Sequence, residues 1–203
     1  MEINLTPLLP AAEVLLTALT VLLLDLFLRD EEKGLLAWIS VLGLAIAAGI
    51  IVILWGSQEG AFQDSYLLDG FSLFFSQFFV GVALITVLSS AHYLKETGIR
   101  RGEYYALLLF SAFGMILMAA ANDLILFFLG LETMSIAVYV LTGMWRERSE
   151  ASEAAMKYFI IGSFATGFLL YGIALIFGAT GSTNLSRIAA SLTQPGNPWP
   201  HFF

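Results

Sequence analysis

Glu132 lies inside an apolar run, Leu124 to Trp145, eight residues from one end and thirteen from the other. At ~1.5 Å per helical residue it stands about 12 Å from the nearer end, beyond the reach of an interface. The protonation of a carboxyl so far from water depends on the charge, hydroxyl or water beside it, the sensitivity a proton-carrying site requires. A neutral Glu hydrogen-bonded to a neighbouring helix is the packing alternative, and both readings stay open. Ser135 and Tyr139 follow at i+3 and i+7 on the same helical face, and their hydroxyls make them relay candidates. Lys157 is expected just inside the next span, at a depth similar to Tyr139. The functional expectation is a proton path from Glu132 to Lys157 through hydroxyls and water. The plainer one pairs Lys157 with Glu153 at i+4, the amine snorkelling to the headgroups.

Other polar groups point to structure. Asp123, after Asn122, is expected to cap the helix that carries Glu132. Glu13 and Asp25 are twelve residues apart, about 120° around a helix and ~18 Å along it, so they form no common site. Asp25 is expected to pair with Arg29 at i+4, and Glu13 to face a partner chain. His92 and His201 have no companion at metal-ligand spacing. Gly162, Ser163, Thr166 and Gly167 make a small-residue surface suited to close helix packing. The sequence lacks a Gly-rich phosphate loop and a dinucleotide fingerprint, so NADH is not expected on this chain. With no cysteine, it offers no disulfide, thiolate metal site or cysteine nucleophile, and any redox centre belongs to another chain.

The elements that must position these groups follow from composition. Of 203 residues, 59% are hydrophobic and 12% charged, and the formal charge is -7. That excludes an ordinary soluble domain and a nucleic-acid binder with its basic face. Gly34 to Gln58, Gly70 to Leu94, Tyr104 to Asn122 and Tyr158 to Ser186 carry no charge, and each accommodates a bilayer-crossing helix of ~20 residues. Leu8 to Leu28 and Leu124 to Trp145 reach that length by tolerating acids. The reading is an all-α polytopic transmembrane bundle of six helices, at 8–28, 35–55, 71–94, 104–121, 124–145 and 154–178. The start, Met1-Glu2-Ile3, lacks a positive n-region, so the first run is expected to be kept as a span.

Arg29, Lys33, Lys95, Arg100, Arg101, Arg146 and Arg148 fall in the first, third and fifth loops. The positive-inside rule then puts odd loops in the cytoplasm and both termini outside, in a cell inner (plasma) membrane. Trp38, Tyr104, Tyr105 and Trp145 would mark the inner interface, Trp55 and Tyr66 the outer. After Gly178 the chain becomes turn-like, with a short interfacial helix expected over Leu185 to Leu192. The closing run with Pro195, Pro198 and Pro200 cannot continue a helix.

Several stretches resemble a known family. They are Gly102-Glu103-Tyr104-Tyr105-Ala106 onward to Phe110, Gly114-Met115-Ile116-Leu117-Met118, Ala121-Asn122-Asp123-Leu124, and Phe128-Leu129-Gly130-Leu131-Glu132-Thr133-Met134-Ser135. Glu153-Ala154-Ala155-Met156-Lys157-Tyr158-Phe159 and Gly178-Ala179-Thr180-Gly181-Ser182-Thr183-Asn184-Leu185 continue the pattern, as do Leu23-Leu24-Asp25-Leu26-Phe27 and Asp69-Gly70-Phe71-Ser72 earlier. Together they resemble the antiporter-like subunit N of proton-pumping NADH:quinone oxidoreductase, respiratory complex I. The resemblance implies that Glu132 matches the glutamate of the fifth helix in a proton half-channel and Lys157 the lysine of the sixth. It implies an incomplete antiporter-like fold of inverted five-helix repeats: residues 1–101 as three N-terminal transmembrane helices, 102–185 as the first part of the proton-translocating module, and 186–203 as an outer loop ahead of a seventh, broken helix whose lysine partners the glutamate. NADH, FMN, iron–sulfur clusters and quinone are then expected on partner subunits, with other membrane subunits of the complex and the lipid bilayer as neighbours. A related cation/proton antiporter or membrane-bound hydrogenase subunit, and a passive membrane scaffold, are the alternatives.

Overall fold

In a bilayer the backbone must satisfy its own hydrogen bonds, and this chain does so with helices. The computed structural model describes residues 4–29, 32–96 and 102–193. A 3-10 turn (Thr6–Leu8) leads into α1 (Leu9–Asp25) and α2 (Gly34–Ile53). The hairpin of β1 (Glu59–Ala61) and β2 (Tyr66–Leu68) follows, then α3 (Gly70–Glu96), α4 (Glu103–Ala120), α5 (Leu124–Thr142), α6 (Ser149–Thr180) and α7 (Leu185–Leu192). Among the described residues six helices, α1 to α6, are long and apolar enough to cross a membrane. The small hairpin is an addition to the expected all-helical bundle. Helix α6 starts five residues before the expected span and runs for 32 residues, about 48 Å and longer than a hydrocarbon core is thick. The side chains of His92 and Lys95, together with Arg100, Arg101, His201 and the proline-rich tail, lie outside what the structure describes.

Helix α4 is central to the packing: α1 and α3 lie against it on one side and α5 on the other, with α6 on the outer side of α5. One buried apolar cluster joins α1 to α4, and Val14, Leu44, Leu73, Leu109 and Ile116 are fully shielded within it. The α4–α5 contact is a close approach of backbones. A Cβ added to Gly114 would stand 2.5 Å from the Gly130 carbonyl oxygen and 2.6 Å from the Met134 nitrogen. Small residues permit such contact where lipid supplies no hydrophobic drive to bring helices together. Gly43 of α2 makes room for Thr17 of α1 in the same way.

Polar contacts fasten both ends of the bundle. At the α1–α2 loop end, Asp25 pairs with Lys33 at 3.3 Å and accepts a hydrogen bond from the Gly102 amide at 3.2 Å. The expected pairing with Arg29 is thereby corrected: the chain turns after α1, and the cation eight residues on reaches the carboxylate. At the opposite end three consecutive residues of the hairpin tip, Phe62, Gln63 and Asp64, are left-handed with φ of 52°, 57° and 63°. That conformation is costly for side-chain-bearing residues and persists where surrounding contacts determine it. Here Asn122 and Asn184 both donate to the Asp64 carbonyl, at 2.8 and 3.3 Å, and the Asn122 amide donates to the Ser65 carbonyl. Tyr66 is buried behind the tip, which raises its phenol above the ordinary tyrosine value.

Candidate functional site

Helix α5 is opened by Asp123, as expected. The residue is extended, and its Oδ1 accepts from the Ile125 amide at 2.9 Å. Its second oxygen accepts from the Thr183 hydroxyl at 2.7 Å, and the Leu124 amide donates to the Thr183 carbonyl. The start of α5 is thus pinned to the turn that ends α6, where left-handed Gly181 closes the helix. These contacts fix the depth of every later residue of α5.

Glu132 falls near the middle of the 19-residue α5. Its Oε1 is buried and has no hydrogen-bond partner among the described residues. An unpartnered buried carboxyl oxygen is costly to keep and asks for a proton, a water or another group. Ser135 and Tyr139, each 8% exposed, continue the same stripe, while Gly130 and Met134 turn the opposite face to α4. At Tyr139 the stripe meets α6. The Tyr139 ring meets Tyr158 edge-on at 4.8 Å and Phe159 at 5.8 Å. A Cβ on Gly162 would overlap the Tyr139 hydroxyl and its ring carbon, so the phenol tip rests on the α6 backbone.

Lys157 is not brought to this stripe. Residues 155, 162, 166, 169 and 173 form the more protected side of α6. At about 100° per residue, Glu153 and Lys157 occupy the other side. The two make an ion pair at 2.5 Å, with side chains 64% and 70% exposed. The structure therefore assembles Glu132, Ser135 and Tyr139 and leaves Lys157 facing away from them. The small-residue patch divides too: Gly162 and Thr166 are partly covered, whereas Ser163 and Gly167 are exposed. Glu13 accepts a weak hydrogen bond from Thr17 at 3.4 Å. No cluster of three His, Cys, Asp or Glu side chains suited to a metal ion occurs among the described residues. Sequence reasoning placed Lys33 in a basic loop but had no reason to pair it with Asp25, or Gly162 with Tyr139. The glycine was visible as a small residue, but nothing local named the side chain that fills the space.

Comparison with known proteins agrees with this architecture. Residues 121–202 match the family model described as NADH:quinone oxidoreductase/Mrp antiporter, TM. NADH-quinone oxidoreductase subunit N of Trichlorobacter lovleyi is 44% identical over 194 residues, 96% of this chain and 40% of that protein. The subunit N of Chloroflexus aggregans is 43% identical, with the same two coverages. The chain thus spans about 40% of the length of these curated relatives. Among solved structures, a chain of respiratory complex I from Thermus thermophilus with bound aureothin superposes with a TM-score of 0.73 at 33% identity, covering 90% of this chain and 41% of that one. An archaeal membrane-bound sulfane sulfur reductase shares the fold, with a TM-score of 0.69 at 24% identity over 91% of this chain and 39% of that one. The chain is a multi-pass membrane protein, and over nearly its whole length it is similar to antiporter-like membrane subunits such as NADH-quinone oxidoreductase subunit N.

Proposed function

We propose that this chain contributes a proton-translocation half-channel to a membrane-bound, proton-pumping NADH:quinone oxidoreductase. The observation that carries the reading is the buried, unpartnered carboxyl oxygen of Glu132 at the middle of α5. A carboxyl there takes up a proton when a conformational or electrostatic change reaches it, and hands it on when that change reverses. Ser135 and Tyr139 are the relays on its stripe. Lys157 is the next protonatable group, a role supported by the subunit N resemblance. Because it lies on the far side of α6, transfer to it needs a further group or water beyond the α5–α6 contact.

In this reading residues 1–101 flank the module, 102–185 form its first part and 186–203 belong to an outer loop. The loops rich in Lys and Arg face the cytoplasm across a plasma membrane. NADH, FMN, iron–sulfur clusters and quinone sit on partner subunits, and their electron transfer supplies the driving force. This chain's share is to hold and move protons.

Glu132→Gln in the assembled enzyme tests the reading directly. The amide keeps the shape and removes the titrating group, so the proton-to-electron ratio should fall while NADH oxidation by the peripheral arm continues. An unchanged ratio removes Glu132 from the mechanism. Lys157→Met is the companion: a wild-type pH profile of pumping would leave the lysine a surface partner of Glu153.

A further inference from the structure

We propose that Tyr139, seated against Gly162, makes the α5–α6 stripe selective for protons over sodium: a plug with one hydroxyl rather than a channel for hydrated cations. The inference rests on reading Glu132 as the proton-binding group and adds what that site excludes.

Three observations carry it. First, Tyr139 is 8% exposed and wedged between helices, with Tyr158 and Phe159 meeting its ring edge-on. Second, a side chain at position 162 would collide with the phenol hydroxyl and its carbon, so the ring tip is seated directly against the α6 backbone. Third, Ser135 lies one turn from Tyr139 in the direction of Glu132, and all three share a face. Glu132 and Tyr139 are separated by about 10 Å along the helix, with Ser135 between them.

The selectivity is chemical. A hard cation leaves water only where several oxygen ligands replace its hydration shell. The Tyr158 and Phe159 rings and the helix at Gly162, against which Tyr139 packs, offer no such set of oxygen ligands. A proton needs a single hydroxyl, since tyrosine both accepts and donates. The Glu132 carboxyl gives its proton to the Ser135 oxygen as the Ser135 O–H proton passes to the Tyr139 oxygen, and the Tyr139 O–H proton leaves to a water beyond the α5–α6 contact; three O–H bonds break and three form, leaving a carboxylate and a hydronium ion. Charge and atoms balance, and rotation of the hydroxyl resets it. The ring stays in place throughout.

The test uses the whole enzyme in sealed proteoliposomes, with proton-to-electron ratio, radioactive sodium uptake and NADH:quinone activity measured together. Tyr139→Phe keeps the plug and removes the hydroxyl. It should lower the ratio as much as Glu132→Gln does and leave the vesicles tight to sodium. Gly162→Ala pushes the phenol off the helix and should lower the ratio by a similar amount. Tyr139→Ser opens the stripe to water and should bring sodium uptake with partial collapse of the proton gradient. A wild-type ratio in Tyr139→Phe overturns the relay, a wild-type ratio in Gly162→Ala overturns the seat, and sodium-tight Tyr139→Ser vesicles overturn the plug. If those variants are silent while Glu132→Gln loses pumping, this inference falls and the proposed function stands. If Glu132→Gln is silent as well, both fall.

Discussion

Helices α1 to α4 share one buried cluster in which Val14, Leu44, Leu73 and Ile116 are fully shielded, whereas α6 buries Ile173 alone. The two regions have similar apolar composition, so hydrophobicity does not separate them. Arrangement does. In lipid, burial of apolar surface drives little association, and helices hold together by close packing and polar links. The first four helices have both, with the shielded cluster and the Asp25–Lys33–Gly102 contact at one end. The α5–α6 pair has a polar stripe, one aromatic wedge and terminal hydrogen bonds. The shielded proton-handling stripe thus lies at the boundary between the tightly packed helices and the sparsely covered α6, as expected beside a segment that must change state.

The contrast can be broken at its seam. Gly114→Val forces side-chain atoms into the Gly130 and Met134 backbone, and should cost about 3 kcal/mol or prevent assembly. Yield and thermal midpoint in detergent would show it, and a variant that assembles with wild-type stability would mean the α4–α5 contact is loose. A matched pair sharpens the difference. Leu44→Ala, in the shielded cluster, should cost about 2 kcal/mol through lost contacts and a cavity. Phe168→Ala, 63% exposed on α6, should change stability by less than about 0.5 kcal/mol. Equal effects would erase the distinction.

The smallest effect concerns the hairpin that covers the end of the four-helix region. Burial raises the Tyr66 phenol above its usual value of 10.0, so the folded state favours the neutral form. The stabilisation is complete below pH 10 and is lost as pH rises from there toward the raised folded value, by at most about 1.4 kcal/mol per pH unit. Wild-type protein should lose thermal stability above that pH faster than Tyr66→Phe. Parallel curves would show that Tyr66 is not shielded.

The spans were legible because charges are sparse and their gaps match a bilayer, and the Asp123 cap because its signal is local. What depended on distant segments was not. Asp25 finds Lys33 across a turn rather than Arg29 on its own helix, since the chain leaves the helix before Arg29. The hairpin tip places Phe62, Gln63 and Asp64 in a conformation usually given to glycine or asparagine, so no turn motif marked it. The direction of Lys157 could not be read, because α6 is apolar nearly all round and periodicity does not say which side meets α5. For the candidate site, sequence supplied Glu132, Ser135 and Tyr139 on one face, and the fold added the glycine that receives the tyrosine.

The two asparagines gripping the Asp64 carbonyl have a mechanical outcome for the helices beneath them. Both ends of the chain that meet there, the start of α5 and the finish of α6, are tethered to the same hairpin, so the pair cannot slide lengthwise and relative motion becomes a swing about that pivot. Tyr139 lies sixteen residues from Asp123, about 24 Å along the axis, so a rotation of about 5° displaces it by about 2 Å. Lever-like geometry of this kind converts a slight angular change at a fixed end into the making or parting of a contact at the free one.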